Sequence, residues 1–262
     1  MQARSALFDL YGDYLRPRGG RAPVAALVRL LAPLGVAAPA VRTAISRMVR
    51  QGWLLPMRVS EGAGYQLTVK AVQRLDDASA RIYRTRRASW DGRFDLIVAT
   101  LPQRRTERVR ISDTLSYLGY GRLDGATWVA ARPADQADAL LTEAGIPYER
   151  FSATHAAGTS GVAALVSRAW DLDALTLAYR RFVADQQPTM AATAAIGDDE
   201  ASYAARFRLV HAWRGFLFRD PHLPPDLLPE PWSGAAAARF FDHHEARLRP
   251  AADRFVNDCL AL

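Results

Sequence analysis

Arg42, Thr43, Ser46, Arg47 and Arg50 recur at i, i+1, i+4, i+5 and i+8. That spacing places all five on one face of a helix. Val41, Ile45, Met48 and Val49 fall on the opposite face. Arginine reads guanine bidentately in a major groove, and small hydroxyls reach phosphates or base edges. The chemistry implied is recognition of double-stranded DNA. Arg58, in the segment that follows, is placed to touch a phosphate, and Arg16, Arg18 and Arg21 to reach flanking phosphates.

A second constellation lies near the C-terminus. Tyr203, Arg206, His211, Trp213, Arg214 and Arg219 mix aromatic rings with guanidinium groups over 17 residues. As a ligand pocket, the rings would hold an aryl group and the arginines a phosphate or carboxylate. Taken one at a time, each residue also suits a structural core. His243 and His244 are adjacent, so on a helix they diverge and do not chelate as an i, i+4 pair would. Cys259 is the lone cysteine, which excludes an intrachain disulfide and a CxxC zinc site. No Walker loop, dinucleotide fingerprint or nucleophile elbow occurs, so no cofactor or metal is expected.

Elements must position these residues. The 262 residues suggest about two domains, or three small ones. Half the residues are hydrophobic and the net charge is +7. Of 34 basic residues, Lys70 is the only lysine. Residues 1–90 hold 15 basic and 5 acidic residues, whereas the remainder is slightly acidic. A basic N-terminal third on an acidic body suggests a polyanion-binding module attached to something else. No signal peptide or membrane span is expected, and a reducing, cytoplasmic setting fits the single cysteine.

Within that third, helices are predicted over 3–15, from Pro23 to about Pro33, and from Pro39 to Gly52. Strands over 53–60 and 65–68 flank a GluGlyAlaGly turn, forming a hairpin. Three helices and a hairpin make a winged helix-turn-helix with the third helix in the groove. A further helix, about 69–87, is capped by Thr68 and ends in Arg84, Arg86 and Arg87.

Residues 94–152 read as βαββαβ, a ferredoxin-like order. The helix over 106–118 offers Val109, Ile111, Leu115 and Leu118 to the core, and Asp124-Gly125 signals a type I′ turn. Small metal-dependent nucleases of the CRISPR spacer-acquisition type share this topology. Their metal-binding aspartate ends the first strand, whereas Asp95 stands at its beginning here. A dimerisation or spacer domain is the better reading, with a nuclease or other enzyme as the alternative. After a linker at 157–161, helices are predicted over 171–186, 199–218 and 233–260, with 191–199 looser and a proline-rich loop over 219–232. The expected class is α+β. Its domains are a winged helix-turn-helix (1–88), a ferredoxin-like βαββαβ domain (89–156) and a helical C-terminal domain (157–262).

Several motifs carry a resemblance. ALFDLYGDYL (6–15), AVRTAISRMVRQGWL (40–54) and YQLT (65–68) resemble the N-terminus of PaaX-type transcriptional repressors. WDGRFDL (90–96) and LGYGRLDGATW (118–128) are similar to the family's middle segment. LVHAWRGFLFRDPHLPPDLLPEPW (209–232) is similar to its C-terminal signature. The resemblance covers nearly the whole chain. It implies a non-enzymatic homodimer that binds operator DNA of an aromatic, phenylacetate-type catabolic operon. It also implies release of that DNA by an aryl-CoA effector.

Overall fold

A computed structural model of the chain describes residues 1–59, 62–83, 90–156 and 161–261. Arg84, Arg86, Arg87 and most of the expected linker lie outside them. The protein is α+β, with two antiparallel sheets. Contacts group the chain into two compact units. One contains Met1–Arg86, Arg181–Arg214 and Ala236–Leu262; the other contains Arg87–Arg180 and Gly215–Ala235. The first boundary, at 86/87, falls close to the expected 88/89, and the second unit runs on through 156/157. Among the described residues, no helix is long and apolar enough to cross a membrane.

The first unit begins with α1 (Ala3–Leu10), which continues through a π-helical turn over 11–15. Then come β1 (Arg21–Pro23), α2 (Val24–Leu31) and α3 (Ala38–Arg50). β2 (Leu54–Val59) and β3 (Gly62–Leu67) form a hairpin whose register pairs Leu54 with Leu67 and Arg58 with Ala63. α4 (Val69–Ile82) follows, with Thr68 accepting from the Ala71 amide at 3.1 Å as its cap. β1 was not anticipated. It pairs with β3, giving the order β1-β3-β2. Gly62, Ala63 and Gly64 also depart from expectation: they are strand, not turn.

The unit's core draws on distant segments. Leu7, Leu10, Tyr11 and Tyr14 meet Leu27, Leu30, Val41, Ile45 and Met48. Tyr203 and Phe207 of α9 (Asp199–Arg214) join them, as do Ala252 and Val256 of α10 (Ser233–Leu260). Full burial of each large apolar side chain stabilises by roughly 1.5–3 kcal/mol. At this core's margin lies Arg206, 1% exposed. Its guanidinium donates to Asp13 and to Glu245, the latter at 2.5 Å, and lies 4.8 Å from the Tyr14 ring centroid. Burial opposes its charge, but Asp13, Tyr14 and Tyr83 hold the proton on more firmly than in a free arginine.

The second unit carries β4 (Arg93–Ala99), α5 (Arg105–Tyr117), β5 (Gly121–Arg122), β6 (Thr127–Ala130), α6 (Asp135–Glu143) and β7 (Tyr148–Thr154). The sheet order is β5-β6-β4-β7. Both β4–β6 and β4–β7 are antiparallel, so each strand–helix–strand passage skips one strand. Ile97, Ala99, Trp128 and Ala130 on one sheet face pack on Ile111 and Leu115 of α5 and Ala137 and Leu141 of α6. Phe94, Val129 and Ala131 on the other meet Val166 of α7 (Val162–Ala169), Trp170, Leu223 and Leu227. Two expectations need correction. Val109 is 47% exposed, because Ile111 and Leu115 define α5's inward stripe. The 124–125 turn is not type I′, because neither residue has positive φ. Instead the Asp124 carboxylate accepts from the Ala126 and Thr127 amides, both at 2.8 Å.

α8 (Leu172–Ile196) is longer than predicted. Residues 191–196 are helical rather than loose, and alanine-rich sequence favours that outcome. Conversely, α9 ends at Arg214 and a 3₁₀ turn covers 215–218.

Removing the buried guanidinium would strand two carboxylates. Arg206→Met is expected to cost about 3–5 kcal/mol, the usual penalty for breaking a buried pair. Urea unfolding at neutral pH measures it. Adding Asp13→Asn and Glu245→Gln is expected to recover part of the loss; no recovery would mean that the cost lies in packing.

Candidate functional site

α3 is two-sided. Val41, Ala44, Ile45 and Met48 are buried, and burying them turns Arg42, Thr43, Ser46, Arg47 and Arg50 to solvent. Pro39 sits in the first turn, where a missing N–H costs nothing. Gly52, at φ +69°, reverses the chain after the last turn. No ion pair among the described residues holds the guanidinium groups of Arg42, Arg47 or Arg50. The Thr43 hydroxyl donates to the Pro39 carbonyl at 2.9 Å. A basic, hydroxyl-bearing helix face with unspent donors can grip phosphates and base edges.

The end of α3 is clamped. The Thr68 hydroxyl donates to the Gly52 carbonyl at 2.9 Å, and the Thr68 amide donates to the Trp53 carbonyl at 3.1 Å. Trp53 packs edge-on against Phe8 at 5.2 Å, and the Lys70 ammonium lies 5.4 Å from its ring centroid. Sequence reading missed Trp53 and Lys70. An aromatic directly after a helix-ending glycine was the available signal.

The remaining cations divide. Arg58 on β2 and Arg21 on β1 are exposed. Arg16 and Arg18 are engaged inside the unit instead. Arg16 pairs with Asp76 and donates to the Ser79 hydroxyl at 3.0 Å. Arg18 pairs with Asp253 at 2.9 Å and donates to Asn257 at 3.0 Å. Each would have to leave its partners to reach a phosphate.

The six C-terminal candidates do not converge on one cavity. Tyr203 is buried, its hydroxyl donating to the Leu30 carbonyl at 2.8 Å. Trp213 donates to the Ile82 carbonyl at 3.1 Å and stacks on Phe241 at 4.8 Å. Arg214 pairs with Asp9, which is buried on α1. His211 also meets Asp9, through Nδ1 at 2.5 Å. Burial lowers its pKa. With Arg206, these residues tie α9 to the rest of their unit.

Arg219 is different. It is exposed and lines a cavity of about 260 Å³ in the second unit, with Trp170, Asp171, Leu172, Ala174, Leu175 and Pro221. The Trp170 indole donates to the Gly119 carbonyl at 3.3 Å. A Cβ on Gly121 would lie 2.5 Å from the Ala169 carbonyl oxygen, so only glycine allows this approach. Asp220 steadies the adjoining loop by accepting from the Tyr179 hydroxyl and from the His222 amide at 2.7 Å. The apolar wall was legible only as helix core.

Asp95, the carboxylate weighed for metal chemistry, is buried on β4. It accepts from the Tyr120 hydroxyl and from Arg150 Nε at 2.9 Å, and Arg150 also pairs with Asp138. Its lone pairs serve an internal ion pair. Among the described residues, no group of three or more His, Cys, Asp or Glu could hold a metal ion.

Three family models match in order: "PaaX-like protein" over residues 2–71, "PaaX protein central Cas2-like domain" over 87–166, and "PaaX-like protein C-terminal domain" over 170–258. The chain is 29% identical to the transcriptional repressor PaaX of Escherichia coli (strain K12), over 97% of this chain and 83% of that protein. A solved structure of an uncharacterised Mycobacterium tuberculosis protein, Rv0674, superposes with a TM-score of 0.65 at 22% identity. That match covers 97% of this chain and 98% of the other, and shows the fold to be shared. Taken with the ordered motifs along its length, these matches establish that the chain belongs to the PaaX family.

Proposed function

We propose that this protein is a DNA-binding transcriptional repressor of an aromatic, phenylacetate-type catabolic operon. The observation that carries the reading is the solvent-facing Arg42–Thr43–Ser46–Arg47–Arg50 face of α3. In this reading α1–α3 and the β1-β3-β2 sheet are a winged helix-turn-helix. α3 enters the major groove, and Arg58 steadies the β2–β3 wing on a phosphate. β4–β7 with α5 and α6 form a ferredoxin-like domain. The name of the Escherichia coli relative supports the repressor role. The protein acts in the cytoplasm as a homodimer and catalyses no reaction. Its two α3 helices read half-sites one helical turn, or a multiple of it, apart.

The effector in this reading is an aryl-CoA thioester. The cavity beside Arg219 supports it, because Trp170, Leu172 and Leu175 supply an apolar wall and Arg219 a cation for the nucleotide end. Its volume of about 260 Å³ suits an aryl group with its linker, the rest of the thioester lying outside. Release requires that the ligand prefer the DNA-free arrangement, since equal affinity for both states shifts nothing.

Fluorescence anisotropy on DNA from upstream of the protein's own gene tests both halves. Arg47→Ala is expected to weaken specific binding by ~1–3 kcal/mol and to relax preference at one base pair. Unchanged affinity would remove α3 from the groove. Arg58→Gln is expected to weaken all sequences alike and to reduce the salt slope by about one.

Arg219→Glu addresses the effector. It should raise the phenylacetyl-CoA concentration needed for release at least tenfold while leaving effector-free DNA affinity unchanged. A normal response to the thioester would move the effector site elsewhere.

A further inference from the structure

The first turn of α5 carries a concentration of positive charge that the DNA-reading module does not include. Arg104, Arg105, Arg108 and Arg110 fall within seven residues. The unit that holds them has twelve arginines against fourteen acidic residues, so a third of its positive charge sits on one helix end. The Arg104 side chain is 82% exposed and pairs with Glu107 at 3.6 Å. An exposed pair of that kind neutralises little. Arg105 and Arg110 are exposed. Arg108 is half-buried, its guanidinium donating to the Gln103 carbonyl at 3.2 Å. None of these arginines is among the residues that line the Arg219 cavity.

The arrangement does nothing for the helix. Cations at a helix N-terminus oppose its dipole, and like charges a turn apart repel. What the cluster does suit is an extended polyanion. At ~1.5 Å rise per residue, Arg104, Arg105 and Arg108 span about 6 Å of helix axis. Each strand of duplex DNA presents one phosphate per ~3.4 Å of axis, so that span faces about two phosphates of one backbone. Guanidinium groups bind phosphate oxygens in a fork geometry that lysine cannot copy.

We propose that Arg104, Arg105 and Arg108 form a second phosphate-binding surface, which grips the DNA backbone without reading sequence. The inference rests on the DNA-binding reading of α3 but concerns a different unit.

The test is a salt titration of full-length protein on upstream DNA and on random duplex of equal length. Wild type is compared with Arg104→Gln/Arg105→Gln/Arg108→Gln and with the matching triple lysine variant. The glutamine variant is expected to lose at least tenfold in affinity for both duplexes, with a salt slope lower by about two. The lysine variant is expected to keep most of the slope, which separates charge from folding. Wild-type binding with an unchanged slope in the glutamine variant would overturn the proposal. Calorimetry with free coenzyme A addresses the other source of phosphate. If the glutamine variant loses coenzyme A binding while its DNA slope stays, the surface serves a nucleotide and the proposal fails. A wild type that binds neither duplex would instead defeat the α3 reading, and this inference with it.

Discussion

The constraint on which the rest depends is the period of one short helix. α3 is 13 residues long and buries Val41, Ala44, Ile45 and Met48. Those four positions fall on one side because the helix turns every 3.6 residues. The same geometry leaves three arginines, a threonine and a serine no inward position. Their exposure follows from the packing of the other face. Around α3, the α1 aromatics, the β1-β3-β2 sheet and the Thr68 clamp all hold that orientation. A free helix of this length would be marginal in water, so the surrounding packing is what presents the basic face.

Buried charge supplies the next level of specification. Arg206 with Asp13 and Glu245, and Arg214 with Asp9, tie α9 to α1 and its π-helical turn through ion pairs that packing alone would not orient. Such pairs contribute modestly to net stability because desolvation offsets attraction. Their effect is geometric: a helix slipped by one residue would leave carboxylates buried without a cation. In the second unit, Asp95, Tyr120, Arg150 and Asp138 play the same part between sheet and α6. Charge engaged in this way is unavailable to ligands, which separates these arginines from those on α3 and α5.

The legibility of the sequence follows the range of the interactions. α3, the hairpin and the βαββαβ order were legible because their patterns repeat within a few residues. β1 was not, being three residues long with a proline and formed only by pairing with β3. Residues 191–196 were undervalued because Gly197 and Pro188 flank an alanine-rich run that α8 nevertheless carries. The partners of the C-terminal arginine–aromatic set were not legible, since nothing local distinguishes a guanidinium facing a ligand from one facing a carboxylate. The partner that settles Arg206 is Asp13, 193 positions away. Arg219 differs from its neighbours only through the cavity beside it.

The central claim is that α3 reads base edges in a major groove. Methylation interference on the upstream DNA tests it most directly, because guanine N7 lies in that groove. The account predicts discrete guanines whose N7 methylation blocks binding, in two clusters one helical turn or a multiple of it apart. It further predicts that Arg47→Ala abolishes interference at one guanine per cluster. Binding that tolerates N7 methylation everywhere, or that is blocked only from the minor groove, would contradict it.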